Sequence, residues 1–567
     1  MTLAAGLARA GALLDTLERR AATVSPPALF VASALFTFLR NTQDGILWDL
    51  SYILNTATRI AAGDVPYAQF PLAHAPLTFV NQAFLIRLFG PHFIVPIVYV
   101  SLAGGLATAL TWRIVRRMLD GAVSRASVLA TILCLPLVPL GISAVYPHPF
   151  YDPDTCLAML IALSVLLAAR ARPTPRRLLA AGALLVVPTF FKQNIGLMFL
   201  ALTLGTLALE AAVAPSRRGA AVRCAVGAVA ALATACVVIQ LVVGLGTYLQ
   251  WTIGYAAGAR PIALDKIAPL VDLRRSGLYV VGLALAILAA RALPPRARPF
   301  VLLAGLGVPF ILRGIAPWSA AAVLEWWPPL LALATIGALV SVLRGRIRVE
   351  SLLGGLAAGV AAATFLSNGL TGSTYGVFPL LVMATASLVV AIGAPSGGGF
   401  SRAGAVLGVV VAACLLVAGG SYTLSNRYNL WHTAGVPVRA AYPSLSGLAA
   451  PGPYLRDLDA ALVWIEANVP PDEPAVFIPG EDPIYYALGR RPPLPVVMFE
   501  GVTNPYSAEE LVALGRSAGL RWVFVKEGPL QLGSYDERAL IAAFAPPLTR
   551  GLVDVGMVGA YHVYRSP

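Results

Sequence analysis

Apolar runs close to the length of a bilayer crossing recur along this chain, separated by short polar stretches. A run of about 20 apolar residues is what the hydrocarbon core requires of a helix. Read with a hydropathy window, the pattern predicts about 13 spans. The first covers residues 24–41, after a short amphipathic helix over 1–22. The next covers 92–114, and others follow near 124–145, 155–170, 177–190, 194–213, 222–246, 277–292, 299–316, 327–343, 351–367, 376–393 and 403–421. The short, arginine-dense loops (TWRIVRR, RARPTPRR, PSRRGAAVR, LPPRARP, RGRIRVE) fall on one side of this alternation, and the aspartate-bearing loops fall on the other. Lys and Arg concentrate in cytoplasmic loops. The N-terminus is therefore predicted inside, and the stretch RNTQDGILWDLSYILNTATRIAAGDVPYAQF, within an outer loop over 42–91, outside.

The pattern changes after residue 421. A Pro/Gly-rich linker, WHTAGVPVRAAYPSLSGLAAPGP, leads into LRDLDAALVWIEANV, whose apolar residues Leu458, Leu462 and Ile465 keep helical spacing. AVFIP and RWVFVKE read as buried strands. Ser507 and Glu510 have the spacing of a capping box at the head of SAEELVALGRSAG. The fold class expected is thus a polytopic α-helical membrane protein over 1–421 with a small extracytoplasmic α/β domain, linker included, over 422–567.

Composition narrows the class further. Hydrophobic residues make up 58% of the 567 and charged residues only 12%, against about 25% charged in soluble domains. The formal net charge of +14 resides in the inter-span clusters, so it points to membrane lipids and away from nucleic acid. The five cysteines, Cys134, Cys156, Cys224, Cys236 and Cys414, lie in or beside apolar runs without CxxC spacing. This argues against a disulfide framework or a thiolate zinc site. No P-loop, HExxH, GxSxG or dinucleotide fingerprint is present.

The candidate chemistry lies in the outer loops. Asp44 and Asp49 stand beside the start of a predicted helix, where carboxylates suit the helix dipole; as plain loop acids or caps they need no further role. YPHPFYDPD supplies His148, Asp152 and Asp154, with Asp154 also placed as an N-cap. Lys192 in FFKQN either snorkels or meets an anion. Arg260, Lys266, Arg274, Arg275 and, near the end of a span, Arg313 run against the charge trend on the outer side. That excess suggests an anionic ligand such as a lipid phosphate, or pairing with nearby acids and headgroups.

Taken in order, Asp44-Gly45, a helix, RIAAGDVPYAQF (Gly63, Pro66, Tyr67, Phe70) and HAPL (Pro76) resemble the first outer loop of GT-C fold membrane glycosyltransferases. That superfamily includes protein O-mannosyltransferases and lipid A aminoarabinose transferases. YDPD, TFFKQNIGL and YYALGRRPP resemble its later loop segments. The resemblance implies an inverting transfer of a sugar from a polyprenyl-phosphate donor to a hydroxyl on an acceptor lipid, polysaccharide or protein. It places the reaction on the outer face of the cytoplasmic membrane. It implies Asp44 as general base and Asp49, Asp152, Asp154 and His148 as acceptor- or metal-orienting groups. Lys192, Arg260, Arg274, Arg275 and Arg313 would face the donor phosphate, and Trp48, Tyr67, His74, Gln193, Tyr375 and Arg490 would line the cavity. A divalent cation (Mg2+, Mn2+ or Ca2+) is the one cofactor left open, held by Asp44 and Asp152 if one is used. Many relatives have a second acid where this chain has Gly45. A transporter or flippase for a lipid-linked or anionic solute is the competing reading. Candidate groups crowded on one face and the missing repeat symmetry speak against it.

Overall fold

The computed structural model describes residues 3–41, 48–145, 147–259, 277–345, 347–393, 398–424, 437–527 and 537–567. Asp44, Arg260, Lys266, Arg274 and Arg275 lie outside the described residues.

The chain is a multi-pass membrane protein. Among the described residues, eight helical segments are long and apolar enough to cross a bilayer, fewer than the thirteen spans expected. Four of the expected spans are the shorter apolar helices Ala126–Leu137, Leu278–Ala292, Arg298–Leu312 and Phe378–Ile392. A fifteen-residue helix rises only about 22 Å, short of the roughly 30 Å hydrocarbon core. The expected span 177–190 is a ten-residue helix, Pro175–Leu184, followed by a 3-10 turn, Val187–Phe190. The two N-terminal elements expected separately form one helix, α1 (Leu3–Asn41), with Pro26 and Pro27 inside it.

The elements that position the site are α2 (Trp48–Ala61), α3 (Leu77–Phe89), α4 (Ile94–Leu119), α5 (Ala126–Cys134), α6 (Tyr151–Ala171), α7 (Pro175–Leu184), α8 (Gln193–Val213) and α9 (Arg218–Val242). On α4, Val98, Leu102 and Leu106 repeat at i, i+4 and i+8 and are exposed, while Ile97, Ala103, Ala107 and Leu110 are buried. One stripe thus faces lipid and the other faces the bundle.

Residues beyond 437 form a two-stranded ribbon, β1 (Pro437–Arg439) with β2 (Ala449–Pro451), and a four-stranded sheet of β3 (Ala475–Ile478), β4 (Trp522–Lys526), β5 (Val553–Val558) and β6 (Tyr561–Arg565). Its order is β3-β4-β6-β5. β3 pairs parallel to β4, and the other pairs are antiparallel. The parallel pair requires a crossover, and helix Ala508–Ser517 lies in that connection. Ser507 and Glu510 form the reciprocal capping box expected of them. Side chains alternate across the sheet: Phe477, Trp522 and Phe524 join one core with Leu458, Leu462 and Ile465, while Val476, Val523 and Val525 join another with Leu511 and Leu548.

α2 is the hinge between these parts. The sequence suggests an amphipathic helix, yet eleven of its residues, Trp48 and Leu50 through Arg59, are buried. Trp48, Tyr52 and Ile53 belong to the membrane core, whereas Leu50 and Leu54 belong to the core of the C-terminal domain. A third, polar stripe bonds that domain. Ser51 Oγ donates to the Glu481 carbonyl at 2.7 Å, and Asn55 Nδ2 donates to the Asp482 carbonyl at 3.0 Å. Asn55 Oδ1 accepts from the Tyr486 amide at 3.0 Å, and Arg59 donates to the Leu494 carbonyl.

Candidate functional site

The connection from α2 to α3 is a folded polar platform. Arg59 Nε donates to Asp64 Oδ2 at 2.6 Å, and Arg491 of the C-terminal domain reaches the other oxygen of Asp64. Burial lowers the affinity of the Arg59 guanidinium for its proton, and Asp64 opposes that shift. Tyr67 is held at φ 68, a left-handed conformation unusual for a side-chain-bearing residue. Its hydroxyl donates to the His74 carbonyl at 2.7 Å, and its ring meets Tyr248 edge-on at 5.1 Å.

His74 carries the platform to the head of α6. Its Nδ1 lies 3.4 Å from the Tyr52 hydroxyl, and its ring stacks on Tyr151 with centroids 4.4 Å apart. The Tyr151 ring also meets charge. Lys192 Nζ lies 5.0 Å from the Tyr151 centroid and donates to both carboxylate oxygens of Asp152, at 2.7 and 2.9 Å. Lys192 is the N-cap of α8, whose N-terminus carries no side-chain cap. Gln193, next in the chain, ties three segments together. Its Nε2 donates to the carbonyls of Ala73 (3.2 Å) and Thr252 (2.7 Å), and its Oε1 accepts from the Ala75 amide at 3.2 Å.

Two glycines allow the close approach. A Cβ on Gly196 would lie 2.2 Å from the Thr189 amide nitrogen, so the 3-10 turn folds onto α8 only above a bare backbone. A Cβ on Gly376 would lie 3.0 Å from the Asp152 Cβ; the adjacent Tyr375 ring sits 5.8 Å from Phe150.

The candidates singled out in the sequence are thus partly brought together. His74, Asp152, Lys192 and Gln193 share one neighbourhood, with Tyr67 and Tyr375 behind it. Trp48 is buried at the start of α2, and Asp49 occupies that helix's first turn. Asp154 is held beside the cluster by two donors, the Thr78 hydroxyl and the Tyr99 hydroxyl, each at 2.7 Å. His148 is buried, its Nδ1 at 2.9 Å from the Pro149 carbonyl. Burial pushes its pKa down to about 4 and keeps it neutral. Arg313 pairs with Glu325 at 2.9 Å. Arg490 donates to the carbonyls of Val469 (2.8 Å) and Pro470 (3.3 Å), inside the C-terminal domain.

Sequence reading missed Thr78, Tyr99, the Arg59–Asp64–Arg491 set and a buried charge cluster beneath α2. There Lys526 Nζ contacts Glu481 Oε1 at 2.5 Å and Asp482 Oδ2 at 2.7 Å, and Tyr454 and Tyr561 donate to Asp482. Burial lowers the proton affinity of Lys526, but the two carboxylates outweigh it and the net shift is upward. Glu481 and Asp482 follow the apolar segment AVFIP, and Lys526 ends the apolar run WVFV, which was the available signal.

Of the two expected ligands for a divalent ion, Asp44 lies outside the described residues and Asp152 lies within them. Both oxygens of Asp152 serve Lys192, and the two oxygens of Asp154 serve Thr78 and Tyr99. Among the described residues no group of three or more His, Cys, Asp or Glu side chains has a metal-holding arrangement.

Residues 73–243 match the family model for dolichyl-phosphate-mannose-protein mannosyltransferases. That stretch contains His74, His148, Asp152, Asp154, Lys192 and Gln193, and over it the resemblance read from the loop segments is borne out. No curated protein matches the chain. Among solved structures, the chain is similar to ArnT from Cupriavidus metallidurans bound to undecaprenyl phosphate. The identity is 15% and the TM-score 0.46, over 95% of this chain and 97% of that one. It is also similar to the oligosaccharyltransferase AglB from Archaeoglobus fulgidus in complex with an inhibitory peptide and a dolichol-phosphate. There the identity is 14% and the TM-score 0.49, over 96% of this chain and 74% of that one.

Proposed function

We propose that this chain is a glycosyltransferase that moves a sugar from a polyprenyl-phosphate donor to an acceptor hydroxyl at the outer face of the cytoplasmic membrane. One observation carries the reading. Within the stretch that matches the mannosyltransferase family, a buried lysine stands at the uncapped N-terminus of α8, against Asp152 and beneath the His74–Tyr151 stack. A helix N-terminus beside a cation is suited to a phosphate, because its free N–H groups and dipole favour negative charge.

In this reading residues 1–421 form the catalytic membrane part and 422–567 an outer domain with its linker. The acceptor oxygen attacks the anomeric carbon as the bond to the phosphate oxygen breaks, with inversion. Asp44 takes the acceptor's proton. The leaving polyprenyl phosphate carries its charge toward Lys192 and the α8 N-terminus, as preorganised donors stabilise developing charge. Asp152 holds the lysine in place, and Asp154, His148 and Asp49 orient the acceptor. Trp48, Tyr67, His74, Gln193 and Tyr375 line the cavity. Arg260, Arg274, Arg275 and Arg313 are the further cations assigned to the donor phosphate, with Arg313 also paired to Glu325 at 2.9 Å. Arg490 is assigned to the donor or acceptor cavity from the side of the outer domain. No step is routed through a metal.

The test is transfer by Asp44→Asn. Its loss of a general base predicts a fall of about 10²–10⁴-fold with expression and membrane insertion intact. Near-normal transfer would remove Asp44 from the role. Mass spectrometry of lipid extracts from a deletion strain identifies the donor as an accumulated lipid-phosphate sugar. Absence of any such accumulation would count against the donor class.

A further inference from the structure

Toward the other end of α4 lies a cleft whose lining residues the transfer reading does not use. Tyr99, near the start of α4, reaches Asp154 in the candidate site. Seventeen residues later the same helix carries Arg116, and a helix of that length rises about 25 Å, most of a bilayer core. There Arg113, Arg116 and Arg117 share one side of α4 at i, i+3 and i+4. They border a cleft of about 590 Å³ between α1, α4 and α6, floored by Trp112, Ile114, Leu167 and Ala168.

Among the residues that line the cleft, positive charge is in excess. Asp120 is its one acidic lining residue, against three arginines. Arg117 meets Glu350 only at 3.6 Å. Arg116 donates through Nε to Ser127 Oγ at 3.2 Å, lies over the Trp112 ring at 6.0 Å and feels the Glu18 carboxylate electrostatically. The nearby carboxylate of Glu18 is engaged by the amides of Ser127 (2.8 Å) and Val128 (3.1 Å) at the head of α5. Arg113 is exposed and makes no ion pair among the described residues. Ser164, which lines the cleft from α6, has a buried hydroxyl with no hydrogen-bond partner among the described residues. Such a hydroxyl is costly unless something supplies a partner. On α1, which contributes Ala22 and Pro26 to the cleft, the neighbouring Val24 and Val31 are exposed apolar side chains.

We propose that this cleft binds the phosphate headgroup of an anionic membrane lipid, on the face of the membrane opposite the C-terminal domain. Planar guanidinium groups engage phosphate oxygens with paired hydrogen bonds. Ser164 supplies one more donor, and the apolar floor and α1 accommodate the glycerol and the start of the chains. Basic pockets between membrane helices recognise headgroups in this way. The proposal is independent of the transferase reading.

The full chain, purified in detergent, is mixed with phosphatidylglycerol, phosphatidylcholine or inorganic phosphate, and the bound species are counted by native mass spectrometry. Wild type should retain phosphatidylglycerol and not phosphatidylcholine. Arg113→Ala with Arg116→Ala should weaken that retention about thirtyfold, from roughly tenfold per 1.4 kcal/mol and about 1 kcal/mol for each arginine. Ser164→Leu, which keeps every charge and fills the cleft, should also weaken it, with an unchanged elution volume showing that the fold is intact. Retention equal to wild type in both variants would overturn the proposal. So would displacement of the lipid by inorganic phosphate at the same concentration, which would assign the site to the free anion.

Discussion

Lys192 and Asp152 have side chains only 7% and 1% exposed, so each makes the other's burial tolerable. Removing one partner strands the other charge, which costs about 3–5 kcal/mol. Lys192→Ala should therefore lower the melting temperature in detergent. Pairing Lys192→Met with Asp152→Asn should restore most of the loss, while transfer stays abolished in both. Restored transfer in the double variant would remove this pair from the chemistry. His148 gives a separate signature. Its folded pKa, about 4, lies below the ordinary 6.5, so the unfolded chain takes up the proton first. Its contribution to stability is complete above about 6.5 and is lost as pH falls toward 4. Melting temperatures should decline over that window, and His148→Gln should flatten the decline. Asp152 and Lys192 each stand out in the sequence as charges at the end of an apolar run. Their pairing across 40 residues does not, because either partner alone reads as a cap or a snorkelling side chain. Thr78 and Tyr99 are less legible still, since hydroxyls inside apolar helices ordinarily bond their own backbone, as Thr108 and Thr111 do here.

At the scale of elements, the placement of Lys192 rests on the 3-10 turn that precedes α8. Gly196→Ala would drive a Cβ into the Thr189 amide, with backbone rather than a flexible side chain in the way. It should lower both melting temperature and transfer. Unchanged transfer would show that the turn is free to shift. α2 depends on polar matching as much as on apolar faces. Asn55→Leu would leave the Tyr486 amide and the Asp482 carbonyl without their partner, a penalty of about 1–3 kcal/mol for each buried polar group. Hydrogen exchange at residues 482–488 should quicken in that variant. The helical period of α2 was readable, but its burial on all sides was not. The surfaces that cover its outer face come from residues more than 400 positions later, and no local pattern anticipates them.

At the scale of the molecule, the sequence shows a membrane part and an appended domain because their compositions differ so sharply. Their mode of attachment is invisible at that level. It resides in the two hydrophobic cores that share α2, in Phe93, whose amide donates to the Ser444 carbonyl at 2.8 Å, and in the Asp64 carboxylate, which is gripped by an arginine from each side. Arg491→Ala frees only the more exposed of those two arginines, so it should loosen the domain without unfolding it. Faster proteolysis in the stretch joining the two parts, at an unchanged melting temperature, would be the observation that checks it.

The double allegiance of α2 also governs how such chains exchange parts. A graft that moves only residues 437–567 onto a relative's membrane bundle separates Leu50, Leu54, Ser51 and Asn55 from the surfaces they were shaped to meet. A graft that carries residues 48–64 along with the domain keeps that seam whole, and it shifts the mismatch to the membrane-facing side chains Trp48, Tyr52 and Ile53. Recombination between relatives should therefore be best tolerated where both faces of this one helix change together.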